Sequence, residues 1–366
     1  MDAWERISGC LVGFARGERV GCEARARASG SAFDGGAKAA MARAIMRGLS
    51  QPARFDPGLA REGLLAAWRS QGARSNSVSL TKSLQDDALL RTTPYAGNST
   101  YPDGGDAALV RSFPAAIAGM LDPDHAAFAA CAQARLTHAG PISVQAAELF
   151  VRILRDGLLG MGHEALRDRP WVGCQAIAGI ASGAWRKISS DRLGSRGEAV
   201  RTLNSALWAV DGARDVAHAI ERAAGLPGHS DAIACLAGAL AGAIHGAQSE
   251  DDPSPFPDAD EWVRCCLRAK VAKPGPRPAD IEDRNFASAR GLQPLTYAGE
   301  LWIRTRIEAG HAPNWEDGAY WFGNYGDPRS SLAPWAEGVR VFAGEYPRMV
   351  DVDELSEEER LRGDRA

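Results

Sequence analysis

Three features of the 366-residue chain predict an all-α fold. Apolar residues recur at helical spacing through the first two thirds, alternating strand patterns are nearly absent before about residue 290, and a proline-rich break closes the helical region. Trp4, Ile7, Leu11 and Phe14 share one helical face, as do Met41, Ile45 and Leu49, and then Leu109, Phe113 and Ile117. Val144, Phe150, Val151, Leu154 and Leu158 form a fourth stripe, and Val200, Leu203, Leu207 and Val210 a fifth. The helical core is therefore expected to run to about Leu267, within a domain drawn as residues 1–268.

The segment Asp231 to Gly246 stands apart. Ile233, Leu236, Leu240 and Ile244 make a greasy stripe, while Gly238, Gly242 and Gly246 recur every four residues on another face. Each glycine costs a helix roughly 1 kcal/mol against alanine, so the pattern implies that a second backbone comes very close. The uncharged run is too short to span a bilayer, which favours a central buried helix over a membrane glycine zipper.

Ala272-Lys273-Pro274-Gly275-Pro276-Arg277-Pro278 cannot be helix interior and reads as a stiff linker. Beyond it come Tyr297, Trp302, Trp315, Tyr320, Trp321, Phe322, Tyr325 and Trp335. Residues 269–350 are read as linker plus a small aromatic-rich extension, with a short strand suggested by Leu301, Ile303 and Ile307. Residues 351–366 are mostly charged and expected to be a flexible tail.

The formal net charge of -4 and scattered basic residues argue against nucleic acid and an acidic membrane as partners. No stretch is long and apolar enough for a transmembrane helix, and Met1-Asp2-Ala3-Trp4-Glu5-Arg6 does not read as a signal peptide. Seven cysteines without a CxxC pair suggest reduced, buried thiols and a cytoplasmic protein. No nucleophile elbow or phosphate-loop motif is present.

Four segments, in order, resemble the ADP-ribosylglycohydrolase family. They are Gly9-Cys10-Leu11-Val12-Gly13-Phe14-Ala15-Arg16-Gly17-Glu18-Arg19-Val20-Gly21; Gly105-Asp106-Ala107-Ala108-Leu109-Val110-Arg111 with Pro114; Leu136-Thr137-His138; and Ala206-Leu207-Trp208-Ala209, followed by His229-Ser230-Asp231-Ala232-Ile233-Ala234 and Ala237 to Ala243. The resemblance covers about residues 4 to 265. It implies a compact multi-helix fold that recognises ADP-ribose or an ADP-ribosylated protein, and two magnesium ions held by a Thr-Asp-Asp and an Asp-x-Asp-Thr cluster. Magnesium wants octahedral oxygen ligands, and a metal pair can activate water for attack at the ribose.

The metal clusters depart sharply from that pattern. Where the first is expected the chain reads Ser31-Ala32-Phe33-Asp34-Gly35-Gly36, so Phe33 stands for the threonine and Gly35 for an aspartate. In the second, His229 replaces the first aspartate and Ala232 the threonine. By resemblance, Asp34, His229 and Asp231 are the remaining candidate metal ligands, and Glu18 and Asp34 the candidate catalytic carboxylates. Two carboxylates cannot neutralise two divalent ions, so magnesium or manganese is expected to bind weakly or not at all. A pseudoenzyme follows from that; a single altered metal held partly by His229, and an active hydrolase, stay open as alternatives.

Gly104, Gly105 and Asp106 are candidates for cradling a diphosphate with backbone amides, or else form a glycine turn with Asp106 as helix cap. Arg111, Thr137 and His138 are candidate substrate contacts on the same cleft. Arg25 is read as a surface ion pair or a phosphate contact, and the aromatics Trp315 to Tyr325 as packing or as a surface for a protein partner in an interaction or immunity role.

Overall fold

A computed structural model describes residues 1–30, 36–50, 55–71, 104–246 apart from 139 and 172, 256, 258–268, and three short strands at 292–294, 339–343 and 348–350. Helix α1, Ala3–Ser29, opens with a capping box in which Glu5 N–H donates to Asp2 Oδ1 at 2.8 Å and Asp2 N–H donates to Glu5 Oε2 at 2.7 Å. Two helices follow, α2 at Ala37–Gly48 and α3 at Pro57–Gln71, packed on each other.

The middle of the chain supplies α4 (Ala107–Val110), α5 (Phe113–Ala118), α6 (Pro123–Arg135) and α7 (Pro141–Leu158). Proline at the first turn of α5, α6 and α7 suits positions whose amides have no helical partner. After three short 3-10 segments and α8 (Gln175–Ala181) come α9 (Ala199–Asp211), α10 (Val216–Ala224), α11 (Ser230–His245) and α12 (Ala259–Arg268). The strands Leu292–Pro294, Val339–Ala343 and Arg348–Val350 pair antiparallel in that order. The linker at 272–278, the strand expected at 301–307, the aromatics at 315–325 and the charged tail lie outside the described residues.

Every residue of α11 from Ser230 to Ile244 is buried, as its greasy stripe and glycine face predict. Its partner is α1, and the packing is set by small residues four apart on both helices. A Cβ at Gly242 would lie 1.9 Å from the Gly9 carbonyl oxygen, one at Gly238 2.1 Å from that of Gly13, and one at Gly17 2.1 Å from that of Ala234. The running order 9–242, 13–238, 17–234, 21–231 makes the two helices antiparallel. Glycine is required here because the approaching atoms are backbone, which no rotamer change can move away. Helices α9 and α10 cover α11, α6 packs on α7, and Phe14, Phe113 and Phe256 form an aromatic cluster with ring centroids 4.6–6.2 Å apart. Cys10, Cys22, Cys131, Cys174, Cys235 and Cys266 are buried.

Candidate functional site

The close α1–α11 pairing ends where Gly21 meets Ser230 and Asp231, and the site is built around that end. Ser230 Oγ donates to the Gly21 carbonyl at 3.2 Å, which locks the start of α11 to α1. Glu18 sits one turn back on α1 and is 3% exposed. Its carboxylate is turned to the start of α2: Oε1 accepts from the Lys38 N–H at 2.7 Å and Oε2 from the Ala39 N–H at 3.0 Å. The residue at the cap position of α2 is Gly36, with φ 93° and no side chain to offer. Glu18 therefore caps α2 from another helix and meets its positive end.

That cap pins Lys38, and Lys38 reaches into the cleft to pair with Asp231 Oδ2. Arg25, one turn further along α1 from Gly21, donates from Nη1 to Oδ2 at 3.2 Å and approaches Oδ1 at 3.4 Å. Burial pushes the Asp231 carboxyl up, but Lys38, its hydrogen bond and Arg25 outweigh burial and bring it down to about 2. Burial likewise opposes the Lys38 charge, and Asp231 reverses the sign and raises the ammonium's pKa. The pair is ionised at any physiological pH.

His229, at the cap position of α11, faces the other way: its Nδ1 lies 3.6 Å from Asp106 Oδ2. Asp106 is buried and does not cap α4 with its side chain; it accepts from Thr202 Oγ1 at 2.9 Å, while its N–H donates to the Gly197 carbonyl at 2.8 Å. Gly104 and Gly105 are buried beside it; the Gly104 carbonyl accepts from the Ala199 N–H at 2.9 Å, and the Gly105 carbonyl accepts from Ser143 Oγ at 3.1 Å. Glu18, Asp231, His229 and Asp106 thus lie along one path from α1 across the start of α11 to α4.

The remaining candidates form a second, closed group. Arg111 is fully buried; its Nε donates to Gln133 Oε1 at 2.9 Å and its Nη2 to Thr137 Oγ1 at 2.7 Å. Arginine only donates, so the Thr137 oxygen accepts from it and the hydroxyl faces His138 Nδ1, 2.8 Å away. Burial, with Arg111 alongside, pushes the His138 ring down to about 3, so it is neutral. Nη1 of Arg111 and Nε2 of His138 have no hydrogen-bond partner among the described residues. Thr137→Val removes the oxygen that serves a buried guanidinium and is expected to lower stability by about 2 kcal/mol, read as the shift of the urea midpoint at unchanged slope.

Fit to a divalent metal can be tested on the donors. Both Glu18 oxygens accept amides, Asp231 accepts from two cations, and His229 is paired towards Asp106. Among the described residues no three His, Cys, Asp or Glu side chains are grouped to hold an ion. Asp34, Phe33 and Gly35 lie outside the described residues. The donors among the described residues do not fit a metal pair. Sequence reasoning missed Lys38, since a lysine in the first turn of a helix looks like an ordinary surface residue. The missing signal was Glu18, which alone among the α1 carboxylates lies on the buried glycine face.

The helical fold is centred on an antiparallel α1–α11 pair, with its polar site at the α11 N-terminus. The sequence pattern of the ADP-ribosylglycohydrolase family matches residues 1–273, and the chain belongs to that family. It is similar to the ADP-ribosylarginine hydrolase Tri1 of Pseudomonas putida (strain GB-1), 29% identical over 174 residues and 45% of each chain. It is also similar to the ADP-ribosylarginine hydrolase Tri1 of Serratia proteamaculans (strain 568), 26% identical over 206 residues, 55% of this chain and 56% of that one. The matched region is thus about half the length of these curated relatives. Among solved structures, an ADP-ribosylglycohydrolase-related protein complex shares the fold, with TM-score 0.58 and 23% identity, covering 74% of this chain and 98% of the other. Among the described residues no helix is long and apolar enough to cross a membrane.

Proposed function

We propose that this chain recognises an ADP-ribosyl group at the α1–α11 site, and that metal-dependent hydrolysis is lost or impaired. The family supports the ligand class, and the relatives named ADP-ribosylarginine hydrolases point to ADP-ribose on a protein arginine. One observation carries the second half: the buried carboxylate of Asp231 is paired at Oδ2 with both Lys38 and Arg25, so its charge is already met by two cations. The half-exposed Arg25, together with His229 and the Gly104-Gly105-Asp106 turn, is the proposed contact region for the ligand's phosphates and ribose. Glu18 acts there by positioning α2.

Isothermal calorimetry with ADP-ribose tests this reading. We expect micromolar to millimolar binding, about -8 to -4 kcal/mol, with or without magnesium. Binding should weaken in Arg25→Ala, and release of ADP-ribose from modified arginine should be undetectable beside an active relative. No binding at millimolar ligand would overturn recognition. The relatives' names favour a second reading, an active ADP-ribosyl hydrolase. Metal-stimulated turnover by the unaltered protein would establish it.

A further inference from the structure

We infer that Lys38 is the resident cation of this site: its ammonium, fixed on Asp231, permanently supplies the positive charge for which the family fold would otherwise use a divalent ion. Three observations carry this. First, the lysine is aimed by construction. It is the second residue of α2, its own N–H and that of Ala39 are held by Glu18, and the side chain runs from that anchor into the cleft with 19% exposure.

Second, among the described residues immediately around Lys38 the charges balance. Lys38 and Arg25 stand against Glu18 and Asp231, one carboxylate meeting the two cations and the other the positive end of α2. The neighbouring thiols add no anion, because burial pushes Cys22 up to about 11 and raises Cys235 well above its ordinary value. A divalent ion entering at Asp231 would meet the ammonium of Lys38 and the guanidinium of Arg25.

Third, the two cations divide the work by depth. Lys38 is the more buried at 19% exposure, whereas Arg25 is 48% exposed and faces solvent. The inner cation therefore holds the structure, and the outer one is available to an anionic ligand. An ammonium matches a divalent ion in sign, but it is not a Lewis acid and cannot activate water as an ion does. This inference deepens the reading above; it depends on the family fold and does not require ADP-ribose to be the ligand.

The test compares the full-length protein with Lys38→Ala, Lys38→Met and Lys38→Arg, using manganese as the probe. Bound manganese is read by electron paramagnetic resonance and its effect on folding by thermal melting. We expect the unaltered protein and Lys38→Arg to show no melting shift and no bound signal at millimolar manganese. Lys38→Ala and Lys38→Met should melt lower and be raised by manganese, with binding at least roughly tenfold tighter than in the unaltered protein. Adding His229→Asp to Lys38→Ala should strengthen this further, and His229→Asp alone should not. If the neutral variants are unfolded, recovery of the fold on adding manganese is the supporting result.

Manganese bound by the unaltered protein overturns the inference, as does the absence of any metal response in both neutral variants. ADP-ribose titrated separately keeps the two readings apart. A metal response in Lys38→Ala without ADP-ribose binding in any form would sustain the resident cation and remove the proposed ligand.

Discussion

Gly238→Ala is expected to destabilise the protein by about 3 kcal/mol or more, although the same change in an exposed helix stabilises by about 1 kcal/mol. The sign is decided by the 2.1 Å between the new Cβ and the Gly13 carbonyl oxygen. Real non-bonded contacts lie well above 3 Å, so α1 and α11 must move apart along a seam that also includes Gly9–Gly242 and Gly17–Ala234. Separating them opens gaps beneath Phe14 and Leu236, both buried. Against a total stability of about 5–15 kcal/mol the loss is large. Thermal melting of Gly238→Ala and Gly242→Ala beside Gly179→Ala makes the comparison, because a Cβ at Gly179 of α8 meets nothing within 4 Å. Equal melting temperatures for the three variants would show that the seam is looser than these distances require.

Asp231→Ala should have an effect of the same order, about 3–5 kcal/mol, because it leaves the ammonium of Lys38 enclosed without its carboxylate. Little of this comes from Arg25, whose half-exposed side chain can turn to water. The double variant Asp231→Leu with Lys38→Met removes both charges and should recover much of the loss, a coupling read by chemical denaturation of the full cycle. The pair also sets an acid limit. Asp231 titrates near 2 in the folded protein against an ordinary 3.8, so the unfolded chain binds the proton more readily. Its contribution, roughly 2 kcal/mol, is complete above the ordinary carboxylate value and disappears as pH falls towards 2. Denaturation at pH 7 and pH 3 should show about half of this loss in the unaltered protein and less of it in Asp231→Asn.

Helix faces were legible in the sequence because burial follows a period of 3.6: the stripes of Ile7, Ile45, Leu109, Leu154 and Leu203 lie in the core apart from Trp4, which is exposed at the start of α1, and Val200, which is partly buried. The glycine face of α11 was legible for a related reason: repeated glycine is unfavourable in a helix unless a backbone needs the space, and α1 carries the complementary repeat. Family membership was legible from the ordered segments, since residues that shape a close helix pair leave a pattern at fixed spacing. The sequence did not show that Arg111, Thr137 and His138 are turned to one another in a buried group.

What the chain determined by itself is thus the helical periodicity and the small-residue seam. What only the tertiary structure decided is the partner of each surviving charge. Lys38 and Asp231 lie 193 residues apart, and Glu18 and Lys38 lie 20 apart on different helices. A charge carries no label for its partner in the sequence. Its pairing is set by where α2 begins and by how closely α1 lets α11 approach, and both follow from packing.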